Sequence, residues 1–341
     1  MNNEIKTRVP LLDEAGNIAY AGYAKSMLFD YDRKAIKAGK LRIKEWDYYL
    51  IYNQKYAIAL TVADNSYMGL ISASFIDFEK KTQHTTSPMT FMPKGKTNLP
   101  STSITGDTIF CNKRVDFCFA NNNGDRRIRA KMKKFDGKKD FYAEFVLTNE
   151  PKESMVIATP FDKKKHFYFN QKIVGFRAKG FAIIGDQQID FGDDTFALLD
   201  WGRGVWTYSN TWYWSSACGE IEGVAFGFNL GYGFGNTSSA TENMIFYDGQ
   251  AHKLDQVKFN IPTKKGKLDF LGKWTFTSND NRLNLTFEPI LDRYANSNAL
   301  IIKSTQHQVF GRFSGTVILD EGKELRIKDF LGFAEKVDNR W

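Results

Sequence analysis

Val224-Ala225-Phe226-Gly227-Phe228-Asn229-Leu230-Gly231-Tyr232-Gly233-Phe234 alternates with a period of two. In an extended chain Phe226, Phe228, Leu230, Tyr232 and Phe234 share one face, and Gly227, Asn229, Gly231 and Gly233 share the other. The segment therefore reads as a strand. Glycine is costly inside a strand, so a whole glycine face implies close backbone packing, a sharp bend, or space left for a ligand with Asn229 projecting into it. Gly231-Tyr232-Gly233-Phe234-Gly235 is not a dinucleotide loop. It leads into Asn-Thr-Ser-Ser and another strand, where a pyrophosphate would need a helix N-terminus.

The same period extends in both directions. Toward the C-terminus the spacing predicts strands at 223–234, 242–248, 251–261, 267–277, 282–289, 298–305, 307–319 and 324–337, with turns at Tyr247-Asp248-Gly249-Gln250 and Asp320-Glu321-Gly322-Lys323. Eight up-and-down strands suffice to close a barrel. Toward the N-terminus Trp46, Tyr48, Leu50 and Tyr52 share a face, and runs at 56–64, 67–78, 114–120, 126–134 and 140–148 follow, one pair joined by Asn121-Asn122-Asn123-Gly124. Residues 1–45 read as a wrapping arm with a helical stretch at Tyr31–Ala38, ended by Gly39 as a C-cap. No strands alternate with long helices, which argues against a parallel α/β sheet. The 341 residues fit two medium domains, divided as 1–190 (arm plus first barrel) and 191–341 (second barrel). An aromatic content of 15% favours half-buried pleated surfaces and leaves apolar area to line a cavity.

Composition excludes several classes. No apolar run approaches the roughly 18 residues of a membrane-spanning helix, and Met1-Asn2-Asn3-Glu4-Ile5-Lys6 lacks a secretory layout. Cys111, Cys118 and Cys218 show no paired spacing, so a reducing, cytoplasmic setting is expected. The scattered histidines and cysteines predict no metal, and no cofactor motif appears; Asp190-Phe191-Gly192 stands without the rest of a kinase signature. The net charge of +8 concentrates in Arg126–Lys134, where Arg127, Arg129, Lys131 and Lys133 alternate with Ile128, Ala130 and Met132. That is a strand with one wet face, able to make weak contact with an anionic membrane surface; no nucleic-acid-binding signature accompanies it.

The chemistry-bearing residues gather in 198–248. Leu198-Leu199-Asp200-Trp201-Gly202-Arg203 carries a carboxylate out of an apolar run with a guanidinium nearby, a pair suited either to acid–base work or to a structural salt bridge. Trp201, Trp206, Trp212 and Trp214 are four of the seven tryptophans; in extended chain Trp206 and Tyr208 share a face, as do Trp212 and Trp214. Thr241-Glu242-Asn243 adds a second carboxylate, whose plain reading is a turn cluster. In the last strand Asp329 and Glu335 alternate onto an apolar face and need partners, for which Arg293, Arg312 and Arg340 are candidates. The expected site thus comprises Asp200, Arg203, Tyr208 and Glu242 for chemistry, and Trp201, Trp206, Trp212, Trp214, Asn229, Asn243 and Arg312 for ligand contact.

Lys44-Glu45-Trp46-Asp47-Tyr48-Tyr49, Asp200-Trp201-Gly202-Arg203-Gly204, Thr241-Glu242-Asn243 and Gly332-Phe333-Ala334-Glu335…Arg340-Trp341 resemble domain-of-unknown-function family 2804 (DUF2804). More distantly, Gly180…Gly192…Asp200…Trp212-Tyr213-Trp214…Gly227-Phe228-Asn229-Leu230 looks like the central signature of tandem-lipocalin proteins such as carotenoid 1,2-hydratases and tocopherol cyclases. That resemblance implies an all-β protein of two tandem lipocalin-like antiparallel barrels. It also implies an apolar, lipid- or isoprenoid-like ligand in or between them, and places Asp200 at the acidic residue of the hydratases' Asp-Arg-Glu-Trp motif; Trp201, Gly202 and Arg203 stand in its other positions. Two readings follow: a binder of such a ligand, or a hydratase-, cyclase- or isomerase-type enzyme. In the enzyme Asp200 donates the proton, Arg203 or Tyr208 orients it, and the tryptophans stabilise a carbocation.

Overall fold

The computed structural model describes residues 2–122, 125–299 and 302–340. Met1, the Asn123-Gly124 turn, residues 300 and 301 of the expected strand 298–305, and Trp341 of the closing motif lie outside them. The chain is all-β, in two large antiparallel sheets.

The first sheet has 14 strands, and its main path begins Thr82–Thr86, Met68–Asp77, Tyr56–Asp64, Ile43–Tyr52, Phe196–Val205 and Phe167–Ile184. It continues through Lys139–Thr148, Asp125–Asp136, Val115–Asn122 and Thr108–Cys111. The path curls, because His84 and Thr86 near one end both reach the Phe135 carbonyl near the other. The second sheet has 9 strands, ordered Gln250–Lys253, Met244–Tyr247, Val224–Tyr232, Ser209–Ile221, Glu324–Arg340, Ile302–Ile318, Leu283–Ala299, Trp274–Ser278 and Val257–Asn260. Its first and last strands are neighbours in the chain, so this sheet curls as well.

Three apolar cores follow from this arrangement. One fills the concave side of the first sheet and takes Leu11, Met27, Phe29, Tyr31 and Ile36 from the arm. Another fills the second sheet with Phe228, Leu230, Trp274, Phe276, Phe287 and Phe313. The third lies between the sheets, joining Tyr48, Leu50, Tyr52 and Leu198 to Trp214, Phe310 and Phe333. Here Trp46, Tyr48, Leu50 and Tyr52 do share a face, and the 43–52 strand is buried on both sides because each side has its own core. The glycine face of 224–232 is used for close packing. A Cβ at Gly227 would stand 2.9 Å from Val174 Cγ1 of the first sheet.

Several expectations are corrected. The helical stretch at Tyr31–Ala38 is a single 3-10 turn, Arg33–Ala35, capped by Asp32 accepting from the Lys34 N–H. So few residues cannot offset the cost of helix nucleation, while Tyr31 and Ile36 gain more by reaching the core in extended chain. The expected strands near 282–305 are two long ones, Leu283–Ala299 and Ile302–Ile318, because a register shift between Pro289 and Leu291 lets the first pass its proline. Asp329 does not point inward. A register shift opposite Phe313–Gly315 and a positive φ of 50° turn it to solvent, after which Phe330 resumes the buried face. The chain leaves the first sheet after Val205 and enters the second at Ser209. In 125–136 Arg127, Lys131 and Lys133 are exposed over buried Ile128, Ala130 and Met132, and Arg129 pairs with Asp116 at 2.7 Å. No helix among the described residues is long and apolar enough to cross a membrane.

Candidate functional site

The 196–205 strand turns Asp200, Gly202 and Gly204 toward the space between the sheets. In its ladders Asp200 stands opposite Lys172 on one side and Tyr48 on the other. The Lys172 ammonium lies 2.7 Å from Asp200 Oδ1, which also accepts from the Asn170 amide at 2.6 Å; the Trp46 indole N–H donates to Oδ2 at 3.0 Å. The Trp46 ring can lie there only because residue 202 is glycine, since a Cβ would collide with it. Lys172 is buried, with its ammonium 3.9 Å from the centre of the Trp214 ring.

Glu242 enters from the second sheet, in the connection between Val224–Tyr232 and Met244–Tyr247. Its neighbours anchor it: Asn243 accepts from the Gly231 N–H at 2.7 Å and donates to the Asp255 carbonyl, which Thr241 also reaches. Glu242 Oε2 accepts from the Tyr168 hydroxyl at 3.1 Å, whereas Oε1 is buried without a hydrogen-bond partner. Oε1 fills the space a Cβ would take at Gly231. Burial pushes this carboxyl up to about 7, and the Asp200 charge adds to the rise against the opposing pull of Lys172, Tyr168 and Asn229. Asn229 ties the cluster together, accepting from the Trp214 indole at 2.8 Å and donating to the Glu242 carbonyl at 2.9 Å.

A third buried carboxyl, Glu335, accepts from Trp212 (2.9 Å), Gln306 (2.7 Å) and Gln308 (3.2 Å). Burial raises it too, against those hydrogen bonds and the charges of Arg293 and Lys172. The Lys172 ammonium pairs with Asp200 and its charge also reaches Glu242 and Glu335, while the Lys253 ammonium acts on Glu242 and Arg293 on Glu335. An uncompensated buried charge is expensive, and burial accordingly raises both Glu242 and Glu335 from the ordinary carboxylate value. The wall is aromatic: Trp206 stands edge-on to Trp46, Trp212 and Tyr168, and Tyr168 stacks on Phe234 at 4.7 Å. Trp46 and Trp212 are its half-buried rings and mark the solvent side. Glu242 Oε1, Asn170 Oδ1 and Gln308 Oε1 are buried polar atoms left without partners here. No group of three metal-ligating side chains occurs among the described residues.

The structure therefore brings Asp200, Glu242, Trp206, Trp212, Trp214 and Asn229 together. It does not bring Arg203 or Trp201. Both lie on the opposite face of the strand, where Arg203 donates to Asp47 (3.0 Å) and to the Trp46, Gly202 and Pro100 carbonyls, its guanidinium over the Trp201 ring. Asp200 takes its cation from Lys172 instead. Tyr208 is half exposed in the 206–208 link, which is not extended strand, and shares no face with buried Trp206. Asn243 serves the turn. Arg312 bonds Gln54 and the Asp329 carbonyl, away from Glu335, and Arg293 bonds Ser74. Missed from the sequence were Tyr168, Asn170 and Lys172, which alternate on one face of their strand. The signal was two polar residues on a period-two face that begins with tyrosine.

The family model described as Domain of unknown function (DUF2804) matches residues 2–341. No curated protein matches the chain in sequence. Among solved structures, a Nitrosomonas europaea protein provisionally described as AttH is similar over 88% of this chain and 92% of its own, with 10% identity and a TM-score of 0.52. Kievitone hydratase from Nectria haematococca aligns over 87% and 88% (10% identity, TM-score 0.48), and CghA over 98% and 97% (7% identity, TM-score 0.45). These neighbours are lipocalin-like proteins, and the likeness to the first is one of fold.

Proposed function

The chain belongs to the DUF2804 family over residues 2–341, and on that footing we propose that it binds an apolar small molecule at the junction of two tandem lipocalin-like barrels and transfers a proton to it. The first barrel comprises the arm and the strands up to Val205, and the second begins at Ser209. Glu242 is the acid. The observation that carries this reading is a buried carboxyl poised near 7, with one oxygen unpartnered, beside the Asp200–Lys172 ion pair. Neighbouring carboxyls whose environments push them apart divide into an acid and a charged partner. Asp200, engaged by three donors, orients Lys172 and Asn170 instead of donating. Indole and phenol faces around the acid suit cationic character developing on an alkene or ring as it takes up the proton, the step common to hydration, cyclisation and double-bond isomerisation. The ligand enters past Trp46 and Trp212.

A second reading, binding without turnover, is favoured by how fully Asp200 is already hydrogen-bonded. One experiment separates them. Wild type and Glu242→Gln are purified in parallel, the co-purifying apolar molecule is identified by mass spectrometry, and both are held in deuterated water. Deuterium entering the molecule or its product in wild type alone supports proton transfer. Bound but unlabelled molecule in both leaves only a binder, and no bound apolar molecule in either sinks the proposal.

A further inference from the structure

The first sheet does not pair its two free edges where Met89–Phe91, hanging on Met68–Asp77, faces the terminal strand Thr108–Cys111. Between them lies a cleft of about 580 Å³, lined by Phe91, Met92, Pro93, Ile109 and Phe110, with Lys96 and Asp107 as its charged groups. Large apolar side chains stay in water here: Phe91 is 89% exposed, Met89 67% and Ile109 56%. Surface this apolar marks an interaction site more often than chance.

The loop that presents them is strained and pinned. Met92, Lys94 and Asn98 all adopt left-handed backbone, each with φ of 51°. Fully buried Asp64 holds the loop, accepting from the Gly95 N–H at 2.8 Å and the Thr97 hydroxyl at 3.0 Å, while the Met92 and Lys94 N–H groups bond the Tyr67 and Ser66 carbonyls. Such backbone persists only when the surroundings over-determine it, and it concentrates at ligand clamps. Of the two charges in the cleft, Asp107 is already an acceptor for the Asn121 N–H at 3.0 Å. Lys96 has no ion-pair partner among the described residues, and neither has neighbouring Lys94. We propose that this cleft is a second binding site, for a single-chain amphiphile with an anionic head: the tail lies between Phe91 and Ile109, and the head meets Lys96. The volume matches one small ligand.

Titration with dodecanoate and with uncharged dodecanol, read by the chemical shifts of the 89–111 amides, tests this. Dodecanoate is expected to bind about fivefold tighter than dodecanol, and Lys96→Met to remove that difference, as for a partly exposed ion pair. Phe91→Ser, at a side chain too exposed to matter for folding, is expected to weaken both by about tenfold. Glu242→Gln should change neither, which keeps this site separate from the junction. Equal binding of the two amphiphiles, or a Lys96→Met variant like wild type, removes the anionic head. Shifts elsewhere than 89–111, or adsorption to phosphatidylglycerol vesicles with no response to dodecanoate, overturns the site altogether.

Discussion

Replacing Glu242 by Gln keeps the shape of the side chain and removes a buried ionisable group. In the folded chain this carboxyl titrates near 7, against 4.5 for an ordinary glutamate. The folded value lies above the unfolded one, so the folded state holds the proton more tightly. Stability from this group is therefore fully present below about pH 4.5 and is lost as pH rises through about 7. At about 1.4 kcal/mol per pH unit, the separation amounts to about 3 kcal/mol. Because the group is fully buried, solvent screening takes little of it. Urea unfolding of wild type and Glu242→Gln from pH 5 to 8.5 should then show the variant gaining about 2.5 kcal/mol on wild type across the window, most of it between pH 5 and 7.5. The Gln amide adds an unpaired donor where Oε1 stood, which offsets the two proteins by a constant and leaves the slope intact. Glu335, raised in the same direction, is present in both and cancels. A stability difference equal at pH 5 and pH 8 would falsify the assignment of a proton to Glu242.

Other consequences are equally direct. Tyr168→Phe removes a hydrogen bond that draws Glu242 down, so the carboxylic-acid carbonyl band in infrared titration should move its midpoint above 7; a midpoint that falls or stays contradicts the geometry. Gly202→Ala drives the Trp46 indole off Asp200 and should cost about 1–3 kcal/mol in chemical denaturation, with a change in tryptophan emission. An alanine accepted without either change would mean that Trp46 does not lie over residue 202. Arg203→Met leaves buried Asp47 and three carbonyls without their donor and should cost about 3–5 kcal/mol, while leaving the pH slope assigned to Glu242 unchanged in any variant that folds. A loss below about 1 kcal/mol would show that the guanidinium is not the partner those groups require.

The strand architecture was legible wherever one face is dry and one wet or glycine-lined. The 126–134 run and the 224–232 run both appear with the facing their period implies, and Asp248-Gly249 makes the two-residue hairpin, with φ of 51° and 75°. Legibility failed for the long strand Phe167–Ile184. Phe167–Ile184 touches the first core on one side and the junction on the other, so its sequence shows little alternation of polarity, and the residues that complete the site sit on it. What period alone cannot state is register. That Lys172 faces Asp200 depends on the shift between Val174 and Phe176, where Gly175 adopts a φ of 110° and the long strand slips by one residue against its neighbour.

Asp200 and Arg203 make a different case, because the information was present and pointed the other way. An interval of three places two residues on opposite faces of a strand, just as it places them on one face of a helix. Once 198–205 is taken as extended, Asp200, Gly202 and Gly204 must look one way and Trp201, Arg203 and Val205 the other. The two faces then have separate physical tasks. The odd-numbered face closes the first core, where a guanidinium held by Asp47 and backbone carbonyls rests on Trp201 and Tyr31 packs edge-on against the same indole. The even-numbered face has two glycines, which clear room for the Trp46 and Trp206 rings around a carboxylate paired with a buried lysine. A motif that reads as one acid–base unit is thus two half-motifs back to back. The carboxyl that burial raises to about 7 belongs to neither, but comes from Glu242 in the connection before Met244–Tyr247 of the second sheet.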